Sequence, residues 1–311
     1  MLIRSLPDSS WEDAEFLRQF HARWGRESCI IWGRAQRAQF GPFTHTLSIR
    51  AAWGGAEHCR VDGRTIAVDD DNFLILNHGQ IYSASIRSER PVESLAICFH
   101  PALVERIPDF FENLHPHEHR VSPMLRFIRA HLRSGIVDEA WYEEHLILLL
   151  ARMQRHRKAV LEHVDQLALA RAATRREVYR RISLATDFLH TNYARDVDLG
   201  MLARVAYLSK YHFLRLFTLV HGMTPRTYLQ RKRIGMAGRL LEGTEMTVSE
   251  VATSVGLATE STLQRHMRRW MMPTPLQIRA RIPSRGMVRQ PSSERSDTPA
   301  RRQLKETPDA G

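Results

Sequence analysis

One stretch of this chain is written twice. Thr224-Pro225 recurs as Thr274-Pro275, Arg215 as Arg265 and Phe213 as Leu263, each displaced by 50 residues, and Leu202-Ala203 matches Val251-Ala252 displaced by 49. A duplicated unit must fold twice into the same local structure, so the helices of one copy are the helices of the other. In the first copy Ser209 is a helix N-cap, and Phe213, Leu216, Phe217 and Val220 follow at i, i+3, i+4 and i+7, one face for burial. The opposite face carries Lys210, Tyr211, Leu214, Arg215 and Thr218. Gly222 stops the helix and Pro225 opens the next. Upstream, Asp198 caps a shorter helix whose Leu199, Leu202, Ala203 and Ala206 suit close packing. Two short helices joined by a tight turn make a helix-turn-helix, whose second helix fits a DNA major groove about 12 Å wide. The second copy opens with the capping box Thr247 to Glu250, turns at Gly256 and directs Leu263, Met267, Trp270 and Met271 inward. Ser261, Thr262, Gln264, Arg265 and Arg268 face out.

Charge agrees with that reading. The formal net charge is +11, and between Leu199 and Arg285 fourteen Lys/Arg stand against four Asp/Glu, so one segment holds nearly the whole excess. Only four lysines occur in the chain, which shows a general preference for Arg but does not explain why acids are missing from this segment. A localised excess points to a polyanionic partner.

The positions Ser209, His212-Phe213, Arg215, Phe217, Gly222, Thr224-Pro225, Tyr228, Arg233, Ala237 and Leu240-Leu241, with Val251-Ala252 and Gly256 in the second copy, resemble the DNA-binding domain of the AraC/XylS family of bacterial transcription regulators. The resemblance covers about residues 180–282. It implies an all-helical domain with helix-turn-helix units at about 198–221 and 247–271, joined by a helix at about 225–242. It also implies double-stranded DNA and RNA polymerase as partners and activation as the outcome. By the same resemblance Tyr211, Leu214 and Arg215 read one groove and Ser261, Thr262 and Arg265 the adjacent one. In the second copy Leu257, Leu263, Met267 and Met272 depart from the family pattern; these are mostly apolar replacements of similar bulk, compatible with the fold.

Chemistry sorts the candidates further. Arg215 and Arg265 can each bond guanine O6 and N7, on the order of 1–3 kcal/mol of discrimination apiece. Lys210, Arg226, Arg231, Lys232, Arg268 and Arg269 are assigned to phosphates, which adds affinity and salt dependence but no sequence information. His212 is expected to face the domain interior.

Before this domain the texture is different. From Cys29 to His100 short apolar runs alternate with turn residues, Asp62-Gly63 being a hairpin signal, which predicts an antiparallel barrel or jelly roll. The pattern is similar to the cupin-like sensor barrels found ahead of AraC-type domains. A metal-dependent cupin enzyme is the competing idea, with His45, Glu57, His58 and His78 as ligands. It fails because no His-x-His pair is followed by Glu, and Tyr82 stands where the second motif would put its His; no enzyme activity, metal or cofactor is assigned. Arg50, Trp53 and Tyr82 are the candidates to line a pocket for a small-molecule effector. The long apolar stripes between Asp138 and Ala173 need a partner surface, either the barrel or another subunit, and a homodimer is expected.

The expectation is therefore an α+β chain: residues 1–175 a cupin-like antiparallel β-barrel with helices, for sensing and dimerisation; 180–282 two helix-turn-helix units joined by a long helix; and 283–311 a disordered Pro/Ser/Arg-rich tail. No run is apolar enough for a membrane span and the first residues lack a signal peptide's apolar core, so a cytoplasmic location is expected. Cys29, Cys59 and Cys98 form no Cys-x-x-Cys pair and read as buried thiols.

Overall fold

Strand Asn72–Leu76 is buried along its whole length because both of its faces are covered. Phe73 and Ile75 enter a core shared with helices, whereas Leu74 and Leu76 enter a second core inside the folded sheet. The period of two recurs near the end of strand Ile81–Cys98, where Leu95 and Ile97 meet the helices and Ala96 and Cys98 the sheet interior.

The computed structural model describes residues 2–4, 6, 27–44, 46–136 and 138–280. The tail expected at 283–311 lies outside them, as does His45. The described strands are β1 (Leu2–Ile3), β2 (Cys29–Thr44), β3 (Ser48–Trp53), β4 (Glu57–Val61), β5 (Arg64–Val68), β6 (Asn72–Leu76), β7 (Ile81–Cys98) and β8 (Leu114–Pro116). Their hydrogen-bonded order is β1-β2-β7-β3-β6-β8, with the β4–β5 hairpin attached to β7. Asp62 and Gly63, both at positive φ, turn that hairpin as the sequence predicts. β7 is long enough to serve two layers: its first part pairs with β4 and its last part with β3. Register shifts in β2 after Ala35 and after Phe40 interrupt its ladder with β7. The expected closed barrel is not what the pairing makes. The described strands form an open path ending at β1 and β8, because the long β2–β7 ribbon spans both layers in place of ring closure.

Helices α1 (Pro101–Val104), α2 (Ser122–Ser134) and α3 (Glu139–Asp165) follow, and α2 and α3 cover the sheet with Leu125, Ile128, Leu132, Leu146, Leu149 and Met153. The remaining helices are α4 (Ala172–Thr191), α5 (Leu199–Val205), α6 (Lys210–His221), α7 (Pro225–Gly243), α8 (Val248–Ser254), α9 (Glu260–Arg269) and α10 (Pro275–Ala280). They enclose two cores, and α7 belongs to both: Leu229 packs with Phe213, Phe217 and Leu202, whereas Ile234, Ala237 and Leu241 pack with Val251, Leu263 and Met267. A helix shared in this way fixes the two units relative to one another.

The helical part is also tied to the sheet. Ala67 N in β5 donates to Thr191 Oγ1 at 3.0 Å, and Leu114 N in β8 donates to Asp187 Oδ1 at 3.0 Å. Asp187 is almost wholly buried, and among the described residues its second oxygen has no hydrogen-bond partner, with Arg64 4.0 Å away. Burial pushes its carboxyl up to about 7, against the smaller opposing pulls of the Leu114 amide and Arg64. Because the folded value lies above the ordinary one of 3.8, the neutral acid favours the native state at low pH and that advantage is lost as pH rises from about 4 to 7. Asp187→Asn should remove this slope. In denaturant titrations the variant is expected to gain on the native protein by an amount on the order of 2 kcal/mol or more between pH 5 and pH 8; an equal difference at both values would contradict the assignment.

Candidate nucleic-acid interface

Each reading helix is bounded by side-chain chemistry that the sequence carries in plain view. Asp198 Oδ1 accepts from Met201 N at 2.8 Å and starts α5; Ser209 caps α6, and Gly222, at φ 68°, ends it. Thr224 caps α7, Thr247 and Glu250 form the capping box of α8, and Thr259 caps α9. Gly256 turns the second unit at φ 77°, where a Cβ would lie 2.4 Å from the Ala194 carbonyl oxygen, so no other residue fits. Met271, expected inward, is instead almost fully exposed: α9 ends at Arg269, and Met271 takes φ 52° to reverse the chain toward Thr274-Pro275.

With Phe213, Leu216, Phe217 and Val220 buried, α6 turns Tyr211, Leu214 and Arg215 to solvent, Tyr211 at 74% exposure. Leu263 and Met267 bury α9 in the same way and leave Ser261, Arg265, Arg268 and Arg269 exposed. Lys210, Arg226 and Arg231 are exposed as well. Between the two heads lies a cleft of about 620 Å³ whose walls include Leu214, Arg226, Gln230, Arg233, Thr262 and His266. Burial first, and then the guanidiniums of Arg265, Arg269, Arg226 and Arg233, hold His266 below its ordinary value.

Several expected roles meet a different placement. Lys232, assigned to phosphate, has a side chain only 3% exposed and faces away from the cleft. Its ammonium lies 2.7 Å from Asp69 Oδ2 and 2.7 Å from Asp71 Oδ2, in the turn between β5 and β6. Arg239, two turns along α7, also grips Asp71, with Nη2 to Oδ2 at 2.6 Å. Burial alone would raise the Asp71 carboxyl, but Arg239 and Lys232 outweigh it and hold it well below the usual carboxylate range. Thr262 is half-buried in the cleft wall, and its hydroxyl shares a hydrogen bond with that of Thr259 at 3.0 Å. His212 is exposed, its Nδ1 3.1 Å from Ser209 Oγ.

The proposed effector residues sit deeper than a pocket mouth requires. Arg50 is 1% exposed and paired with Glu57, and its Nη1 donates to the Tyr82 hydroxyl. Trp53 is buried under the Arg129 guanidinium, 4.3 Å from its ring centre. Glu57, one of the metal-ligand candidates, is thus committed to Arg50. Among the described residues no group of three or more His, Cys, Asp or Glu side chains could hold a metal ion, and no helix is long and apolar enough to cross a membrane.

The family described as "Helix-turn-helix domain" matches residues 202–281, the span that contains both heads and α7. The virulence regulon transcriptional activator VirF of Yersinia enterocolitica is 24% identical over 70% of this chain and 82% of its own length. Residues 202–281 are an AraC-type helix-turn-helix domain. The uncharacterized HTH-type transcriptional regulator YbfI of Bacillus subtilis is 41% identical over 61 residues, 20% of this chain; the match spans only 22% of YbfI. The crystal structure of the DNA-binding domain of the global transcriptional factor AdpA with a target DNA is 30% identical, with a TM-score of 0.31, over 32% of this chain and 90% of that one.

In the AraC-type domain described here Lys232 is a structural cation. Lys232→Ala leaves the buried Asp69 carboxylate uncompensated and should lower the unfolding free energy by about 3 kcal/mol in denaturant titrations. A phosphate contact would instead appear as a fall of about one in the slope of log affinity against log salt, with stability unchanged.

Proposed function

We propose that this chain is a sequence-specific DNA-binding transcription regulator that lays its two reading helices into successive major grooves on one face of the duplex. The observation that carries it is the repeat itself: Arg215 and Arg265 sit at equivalent positions on two exposed helices fixed to one strut. Such heads suit grooves about one turn, roughly 34 Å, apart. Tyr211, Leu214, Arg215, Ser261, Thr262 and Arg265 are the proposed base-facing set, and Lys210, Arg226, Arg231, Arg268 and Arg269 the phosphate set. Activation, through contact with RNA polymerase, is the favoured outcome because VirF, matched over most of its length, is named as an activator.

Residues 1–175 are the proposed sensing and dimerising part and 180–282 the reader, in the cytoplasm. The two-layered sheet, antiparallel apart from the β1–β2 pair, supports a cupin-like sensor, and a small-molecule effector would act through it. Phe127 on α2 and Ile147 and Leu148 on α3 are exposed apolar side chains, which supports pairing of two copies through these helices. Pairing would make the second DNA contact intramolecular.

Fluorescence anisotropy on DNA upstream of the chain's own and neighbouring genes, against scrambled DNA at about 150 mM salt, tests this reading. A preference of roughly a thousandfold or more is expected, and equal binding by both the full chain and its 180–280 fragment would contradict it. Arg215→Ala should cost roughly tenfold in specific over scrambled binding and relax one base position. Arg269→Ala should leave the base preferences intact and lower the salt slope by about one.

A further inference from the structure

Part of the wall of the cleft beside the first reading helix recurs beside the second. Leu214, Thr224, Pro225 and Arg226 wall the first, and Gln264, Thr274, Pro275 and Leu276, each 50 residues later, wall the second. Gln264 therefore holds in the second head the place that Leu214 holds in the first, beside Arg265 as Leu214 is beside Arg215. The chemistry of the two positions differs. Leu214 presents only methyl groups to a groove. Gln264 presents an amide, and its Nε2 donates to Glu260 Oε1 at 2.8 Å, one helical turn earlier. That bond uses one of the amide's two N–H groups and fixes which end of the amide carries nitrogen. One N–H and the carbonyl oxygen remain. A donor and an acceptor side by side are the complement of adenine's N7 acceptor and N6 donor in the major groove, a pairing that no other base edge offers in the same arrangement.

We propose that Gln264 reads an adenine next to the base read by Arg265, and that Glu260 is the positioning residue that orients its amide. The assignment rests on the DNA-reading function proposed above. It sharpens the difference between the two heads that Tyr211 and Ser261 already show: an apolar flank beside Arg215 suits a thymine methyl, whereas the braced amide beside Arg265 demands adenine. Unlike heads give the site a direction, so the chain binds an asymmetric sequence in one orientation.

Selection of duplexes from a random-sequence pool by the full chain supplies the preferred site. Enrichment of no sequence at all would overturn the DNA-reading function and this assignment with it. Given a site, affinities for all single base-pair substitutions are measured for the native chain and four variants. The native chain is expected to prefer adenine at one position of the second half by roughly tenfold or more. Gln264→Ala should erase that preference and leave the others, and Gln264→Leu should turn it toward thymine. Glu260→Ala should weaken it severalfold, and Glu260→Gln, which keeps an acceptor for the amide, should retain most of it. The discrimination ratio is insensitive to the general gain in affinity that loss of a carboxylate brings. If Gln264→Ala keeps every base preference, or lowers all of them in proportion, the assignment is wrong.

Discussion

Lys232, held between Asp69 and Asp71, is the contact on which the arrangement of the molecule turns. It is carried by α7, the helix that contributes to both cores of the reading domain, so whatever holds α7 holds both heads. One side of α7 presents Arg226, Gln230 and Arg233 to the cleft, and another gives Lys232 and Arg239 to the sheet. The carboxylates are themselves arranged: Asn72 donates to Asp69 Oδ1 at 2.9 Å, the Asp71 amide donates to the same oxygen at 3.0 Å, and Asp70 accepts from Gly54 at the end of β3. Desolvating these charges offsets most of their attraction, so the cluster contributes register more than net stability. An apolar contact of the same area would allow the sheet to slide on α7, whereas a lysine between two placed carboxylates admits one position.

The reading domain was legible because its signals are local. Caps, turns and the i, i+3, i+4 stripes lie within a dozen residues of one another, and duplication states each of them twice. Lys232 was not legible for the converse reason. Its partners are some 160 residues away, and on a helix named Arg-Lys-Arg nothing local separates the cation that faces DNA from the one that faces a sheet. The repeat carries a finer signal too: by strict displacement of 50 the equivalent of Leu214 is Gln264, and the equivalent of Thr262 is His212.

In the strand-rich part the alternation of β6 and β7 and the Asp62-Gly63 turn could be read directly, but closure could not. Whether strands close into a ring depends on where a long strand bends; β2 breaks register after Ala35, where its sequence carries no breaker, and again at Gly41-Pro42, where the break is written in the sequence. Arg50 illustrates a related limit. A lone arginine among apolar residues suggests a ligand, yet Glu57 lies seven residues on, on the next strand, and the pair satisfies itself inside the core together with Tyr82. A buried pair of this kind is costly to assemble and strongly destabilising to break, which suits a fixed interior better than an open pocket.

The central claim is that one strut presents two reading helices to a single face of the duplex. Methylation protection at guanine N7 on a selected site tests it most directly, because it reports major-groove occupancy base by base. Each bound copy should give two protected clusters centred about 10 base pairs apart. A single cluster, or two separated by about half a helical turn and so on opposite faces, would contradict it.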